Sequence, residues 1–162
     1  MKLLFFIRFL SIFSPLFITN ICFSKAVVTK IVAIHSYSDD FPWTKMITDS
    51  YKAELSKSNL KFQINNFYFN VKKNPKSINQ IHPLVSEIEI FFKKSPPNFI
   101  FITDDFALNQ ISKLLIQYRI PFVFAGINGE IPKILSDSTF KKYSGVYERY
   151  YVADSVHLLA RL

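Results

Sequence analysis

From residue 30 onward the chain alternates short apolar, β-branched or aromatic runs with longer segments whose apolar positions recur every three or four residues. Strands and helices taking turns produce that alternation. The runs KIVAIHS (30–36), KFQINNFYF (61–69), NFIFIT (98–103), PFVFA (121–125) and SGVYE (144–148) read as five strands. Between them, Trp43, Ile47, Tyr51 and Leu55 fall on one face of a first helix that begins at Pro42. Asn74 as N-cap and Pro75 at the first helical position open a second, with Ile78, Ile81, Val85, Ile88 and Phe92 along one side. Pro83 inside that stretch predicts a kink or a restart. A third helix places Ala107, Ile111, Leu114, Leu115 and Tyr118 on its buried face. A short stretch interrupted by Pro132 and the segment YYVADSVHLLARL complete the series. Strands this continuously apolar, separated by helices, require a parallel sheet covered on both faces. The predicted fold is α/β, a doubly wound parallel five-stranded sheet in the order 2-1-3-4-5.

Residues 1–26 break the pattern. Lys2 and Arg8 accompany a Phe/Leu/Ile run interrupted by Ser11, Ser14 and Pro15, and SKA ends at Ala26 with small residues three and one positions before the expected cut. This is the layout of a secretory signal peptide, and its uninterrupted apolar stretches fall short of the ~20 residues that span a bilayer. Cleavage after Ala26 and a periplasmic or extracytoplasmic location are therefore expected. Cys22, the only cysteine, lies in this leader, so the cleaved chain has no disulfide or thiol chemistry. Lipid anchoring at Cys22 is disfavoured because Ile21 stands where a small residue is expected. Loss of Lys2, Arg8 and Lys25 takes three units from the net charge of +8 and leaves +5. The remaining basic residues are scattered in pairs (Lys72-Lys73, Lys93-Lys94, Lys141-Lys142) with no interleaved aromatic stripe, which argues against a nucleic-acid partner.

Two acidic pairs, Asp39-Asp40 and Asp104-Asp105, follow apolar strands. In an open parallel sheet the carboxyl edge is where ligands sit, so the pairs carry the functional question. A phosphoryl-accepting receiver domain needs an acidic pair directly at the first strand end, a hydroxyl after strand four and a lysine after strand five. Here Asp39 lies three residues past Ser36, strand four ends in Ala125-Gly126 and strand five in Glu148. A hydrolase built on His35 and Ser36 fails because neighbours on a strand face opposite ways, and no G-x-S-x-G elbow is present. Three isolated histidines offer no metal-ligand spacing, so neither an enzyme nor a metal or cofactor is expected. The remaining reading makes Thr103 or Asp104 the cap of the third helix, with Asp105 in its first turn favouring the dipole and free to contact a ligand amine or hydroxyl.

The motifs IHSYSDDFPWT, FIFITDDFALN, IPFVFAGING and SGVYE, in this order, resemble the N-terminal lobe of the ABC-transporter substrate-binding-protein-like family, which has the type I periplasmic binding protein fold. Relatives of that family serve as extracytoplasmic sensor domains of histidine kinases. The resemblance runs from about Lys30 to about Glu148 and implies a single Rossmann-like lobe over residues 27–162. It further implies an exported binding protein for a small, amino-acid-like solute, working with the permease of an ABC importer or, as the alternative, with a sensor kinase or cyclase. The ligand-binding positions it implies are Ser36, Tyr37, Trp43, Asp104, Asp105 and Asn128, with Gly126 and Gly129 turning the backbone that carries Asn128 to the rim. Tyr37 and Trp43 also suit plain loop packing, and Asn128 also suits a left-handed turn position. The family crosses into a second lobe after its GV.E strand. The chain given stops at Leu162, so the expectation is a truncated or fragmentary receptor, or a lone lobe, binding no tighter than about millimolar, about 4 kcal/mol.

Overall fold

A computed structural model describes residues 27–73, 78–149 and 151–161. The leader with Cys22, the expected cap Asn74 and Pro75 lie outside the described residues. The elements run β1 (Val28–His35), α1 (Pro42–Ser56), β2 (Lys61–Tyr68), α2 (Ile78–Lys94), β3 (Phe99–Thr103), α3 (Asp105–Tyr118), β4 (Phe122–Ile127), α4 (Lys133–Ser136), β5 (Tyr143–Tyr147) and α5 (Val152–Leu159). The strands form one sheet in the order β2-β1-β3-β4-β5, and every pairing is parallel. This is the predicted doubly wound α/β lobe.

Alternation along the strands splits the sheet into two unlike faces. Val32, Ile34, Ile100, Ile102, Phe122 and Phe124 point to one side, where they pack with Ile88 and Phe92 of α2 and Leu108, Ile111 and Leu115 of α3 in one buried cluster. Each of those side chains contributes about 1.5–3 kcal/mol by leaving water. Leu135 of α4 and Phe140 extend the cluster toward β4 and β5. Tyr118, expected within the core, is half-buried at its margin, edge-on to Phe92 with its hydroxyl donating to Glu89 Oε1 at 3.2 Å. Pro83 causes no restart: α2 is continuous through it.

The opposite face carries α1. Here the apolar stripe of Trp43, Ile47, Tyr51 and Leu55 is only half-buried, and the residues pressed fully against the sheet are Thr44 and Thr48. An apolar groove of about 620 Å³ separates Ile47, Tyr51 and Leu55 from Ile31, Phe99, Phe101 and Val123. β5 forms an edge, with Val146 69% exposed. On α5, Val156 and Leu159 stand exposed, while the side chain of Val152 lies outside the described residues.

Candidate functional site

The parallel register aligns Tyr68, His35, Thr103 and Ala125 in one row across β2, β1, β3 and β4. Every loop leaving this row emerges on the same edge. Backbone bonds then fasten the loops to one another. Phe69 N–H donates to the His35 carbonyl at 2.9 Å and Val71 N–H to that of Ser36 at 3.0 Å, while Asp104 N–H donates to Ala125 at 2.9 Å and Glu148 N–H to Ile127 at 2.9 Å.

Below the rim the polar side chains are structural. His35 is buried and stacked on Tyr68 at 4.9 Å, with Nδ1 3.0 Å from Thr103 Oγ1. Its Nε2 has no hydrogen-bond partner among the described residues. Burial, helped by the positive charge of Lys52 and opposed by the Asn66 side chain, lowers the imidazole from 6.5 to about 4, so it is neutral at physiological pH. Ser36 is also buried: its hydroxyl donates to the Thr103 carbonyl at 3.2 Å and accepts from Ala107 N–H at 2.8 Å. Ser36 thus satisfies one of the free N–H groups at the start of α3 from a different strand.

The two acidic pairs divide their tasks. Asp104 is the N-cap of α3, its Oδ1 accepting from Phe106 N–H at 3.2 Å. Its other oxygen accepts from the Tyr37 hydroxyl at 2.6 Å and turns toward a hollow at the rim. The residue has φ 74° and ψ 156°, a region nearly reserved for glycine and held by non-glycine residues at a cost of order 1–3 kcal/mol. Asp105 faces elsewhere. It accepts from Asn128 N–H at 3.0 Å, from the Asn128 side-chain amide at 3.3 Å and from Gly129 N–H at 3.2 Å, which clamps the loop after β4 onto α3. The positive φ expected near this turn falls on Gly126, at +72°, at an irregularity within β4, and not on Asn128. A β-carbon at Gly126 would lie 2.4 Å from Trp43 Cζ2, so the glycine also makes room for the indole. At the other pair, Asp39 and Asp40 are exposed. Asp40 accepts from Lys73 Nζ at 2.6 Å, and this bond holds its carboxyl below the usual range.

The structure therefore brings together Tyr37, Trp43, Asp104 and Asn128 in a hollow of about 230 Å³. Ser36 lies beneath it and Asp105 beside it, outside the lining. Three further residues complete the wall: Phe41, Lys72 and Glu148. Tyr37 tilts on Phe41 at 4.8 Å and meets the edge of Trp43 at 5.9 Å, and the Lys72 ammonium stands 4.4 Å above the Phe41 ring and 4.7 Å above Tyr37. A broader recess of about 800 Å³ shares Asn128 and Glu148 with the hollow and continues past Glu130, Tyr147 and Arg149. Glu148 was visible in the sequence as the polar end of an apolar strand, and Phe41 stood within the DDFPWT motif. Lys72 carried no such signal beyond its place after a strand. Chemically the hollow offers aromatic faces, two carboxylates and an amide, a set suited to holding a small polar molecule with an apolar part. Among the described residues no group of three or more His, Cys, Asp or Glu side chains is arranged to hold a metal ion. Set against protein-family models, curated proteins and solved structures, the chain matches none of them.

Proposed function

We propose that the chain is an extracytoplasmic solute-binding lobe that takes a small molecule at the carboxyl edge of its sheet and performs no chemistry on it. The observation that carries this reading is the hollow where Tyr37, Phe41 and Trp43 converge with Asp104 and Glu148. Aromatic walls shed water readily and the carboxylates fix orientation, which is how small-ligand sites divide affinity from specificity. Asp104 supports it further, because backbone strain at a strand-to-helix junction persists where the surroundings over-determine it, and such residues cluster at ligand clamps. The resemblance to solute-binding proteins points the same way, and the partner it implies is the permease of an ABC importer or, as the alternative, a sensor kinase.

The test is a thermal-shift screen of the chain against amino acids and other small metabolites. A saturable rise in Tm with one of them is expected, since a ligand that binds only the folded state stabilises by mass action. Tyr37→Phe and Asp104→Asn should each weaken that response. A screen in which no solute moves Tm would overturn the reading. Export is tested separately: intact mass of periplasmic protein should show loss of residues 1–26, and recovery of the full-length chain in the cytoplasm would contradict it.

A further inference from the structure

We infer that the hollow selects a primary organic ammonium, and that Lys72 is a built-in competitor occupying the place of that group. The inference rests on the solute-binding reading above and names the chemistry of the solute. Lys72 belongs to the loop after β2, and its position is fixed from both sides. Val71 N–H is bonded to the Ser36 carbonyl at 3.0 Å, and Lys73 is paired with Asp40 at 2.6 Å. Between these anchors the Lys72 ammonium turns inward over the faces of Phe41 and Tyr37, at 4.4 and 4.7 Å from their centroids. Ring faces attract cations through their quadrupole, and the interaction strengthens as the site loses water. Tyr37 is at the same time bonded through its hydroxyl to Asp104 at 2.6 Å, and Glu148 also lines the hollow. Two carboxylates and the faces of two mutually tilted rings around one small space form a receptacle for a cation, and an ammonium of the protein's own already lies in it.

Lys72 is on an exposed loop and has a flexible four-carbon stem, so its head group can withdraw into water. A solute ammonium that enters then replaces it over the same rings, with the carboxylates of Asp104 and Glu148 to accept hydrogen bonds from its N–H groups. The exchange keeps the charge of the hollow constant and rejects anions, which would meet two carboxylates. It also discriminates against neutral isosteres, which lose to Lys72.

The experiment uses Trp43, the only tryptophan in the chain, as reporter of the hollow. Three probes of matched shape, isopentylammonium, isopentyl alcohol and isovalerate, are titrated to about 50 mM, above the millimolar Kd of a weak site. They are compared on the wild-type chain, Lys72→Met and Asp104→Asn, with thermal melts to confirm that each variant folds. Saturable change in Trp43 emission is expected with isopentylammonium alone. Lys72→Met should tighten that binding about tenfold by removing the competitor, and Asp104→Asn should weaken it. The inference is overturned if the alcohol binds as well as the ammonium, if isovalerate binds and loses affinity in Lys72→Met, or if no probe alters Trp43. Where the probes fail but another solute of the thermal-shift screen raises Tm, the ammonium inference falls and solute binding stands. Where both fail, so does the binding reading.

Discussion

On the side of the sheet that carries α2 and α3, Ile88, Phe92, Ile100, Ile102, Leu108, Ile111 and Leu115 are all within 1% of complete burial. On the side that carries α1, the helix presses Thr44 and Thr48 against the strands, and Phe99 and Phe101 stay half-exposed along a groove. The first face is a close-packed core. The second is a single helix laid over a sheet broader than itself, with polar groups at its centre. Cohesion is concentrated on the α2/α3 face, while the α1 face contains the groups whose desolvation opposes folding.

The largest expected effect comes from truncating each face in turn. Phe92→Ala should cost about 3–5 kcal/mol, because it leaves a cavity in a dense cluster. Ile47→Ala, on the half-buried stripe of α1, should cost about 1 kcal/mol. Denaturant unfolding measures both, and equal losses would break the contrast between the faces.

Acid should act next, and through the α1 face. Burial holds His35 at about 4 in the folded protein against 6.5 in the unfolded chain. Between those values the unfolded state takes up a proton that the folded state refuses, so stability falls as pH drops through that window and is level above it. The full loss is about 3 kcal/mol, from the 1.36 kcal/mol that each unit represents. His35→Gln should flatten the melting profile between pH 6.5 and 4; an unchanged slope in the variant would assign the acid response to other groups.

A smaller effect belongs to the strand ends, where the two faces meet. Asp104→Ala removes the cap of α3 at about 1 kcal/mol and keeps a β-carbon at φ 74°. Asp104→Gly removes the same cap but relieves the backbone, so its Tm should stand above that of Asp104→Ala. A variant with glycine less stable than that with alanine would deny the strain.

The smallest effect sharpens the comparison within the α1 face itself. Thr44 Oγ1 is buried with no partner among the described residues, so Thr44→Val should raise stability by up to about 1 kcal/mol. Thr103→Val should lower it, because that hydroxyl is bonded to His35. Calorimetry that found Thr44→Val destabilising would mean the hydroxyl makes a bond of its own.

The strands were legible because each is a compact apolar run, and their order followed from the handedness and economy of parallel crossovers. The α1 face was not. Helical spacing located the stripe of Trp43, Ile47, Tyr51 and Leu55 along the chain, but spacing cannot say how much sheet lies beneath a helix. At the rim, the convergence of Tyr37, Asp104 and Asn128 was legible because all exit loops of a parallel sheet share one edge, whereas Trp43 came only from the family resemblance. Lys72 was not, since its place depends on backbone bonds between β1 and β2 loops more than thirty residues apart. Asp104 as the cap was legible, but not that it would also face the hollow while Asp105 clamps the loop after β4: a positive φ usually announces itself by glycine, and here it falls on an aspartate.

The level row of Tyr68, His35, Thr103 and Ala125 works as a foundation course on which the rim loops stand as separate fittings. Below that course, a change disturbs neighbours on both sides through the register. Above it, a loop is attached at two ends and by a few bonds, so its contents are exchangeable while its mounting stays. On the proposed solute-binding reading, variation in what is recognised is therefore expected to accumulate in 37–43, 69–73 and 126–130, and a new specificity is best sought by transplanting those segments onto the unchanged strands.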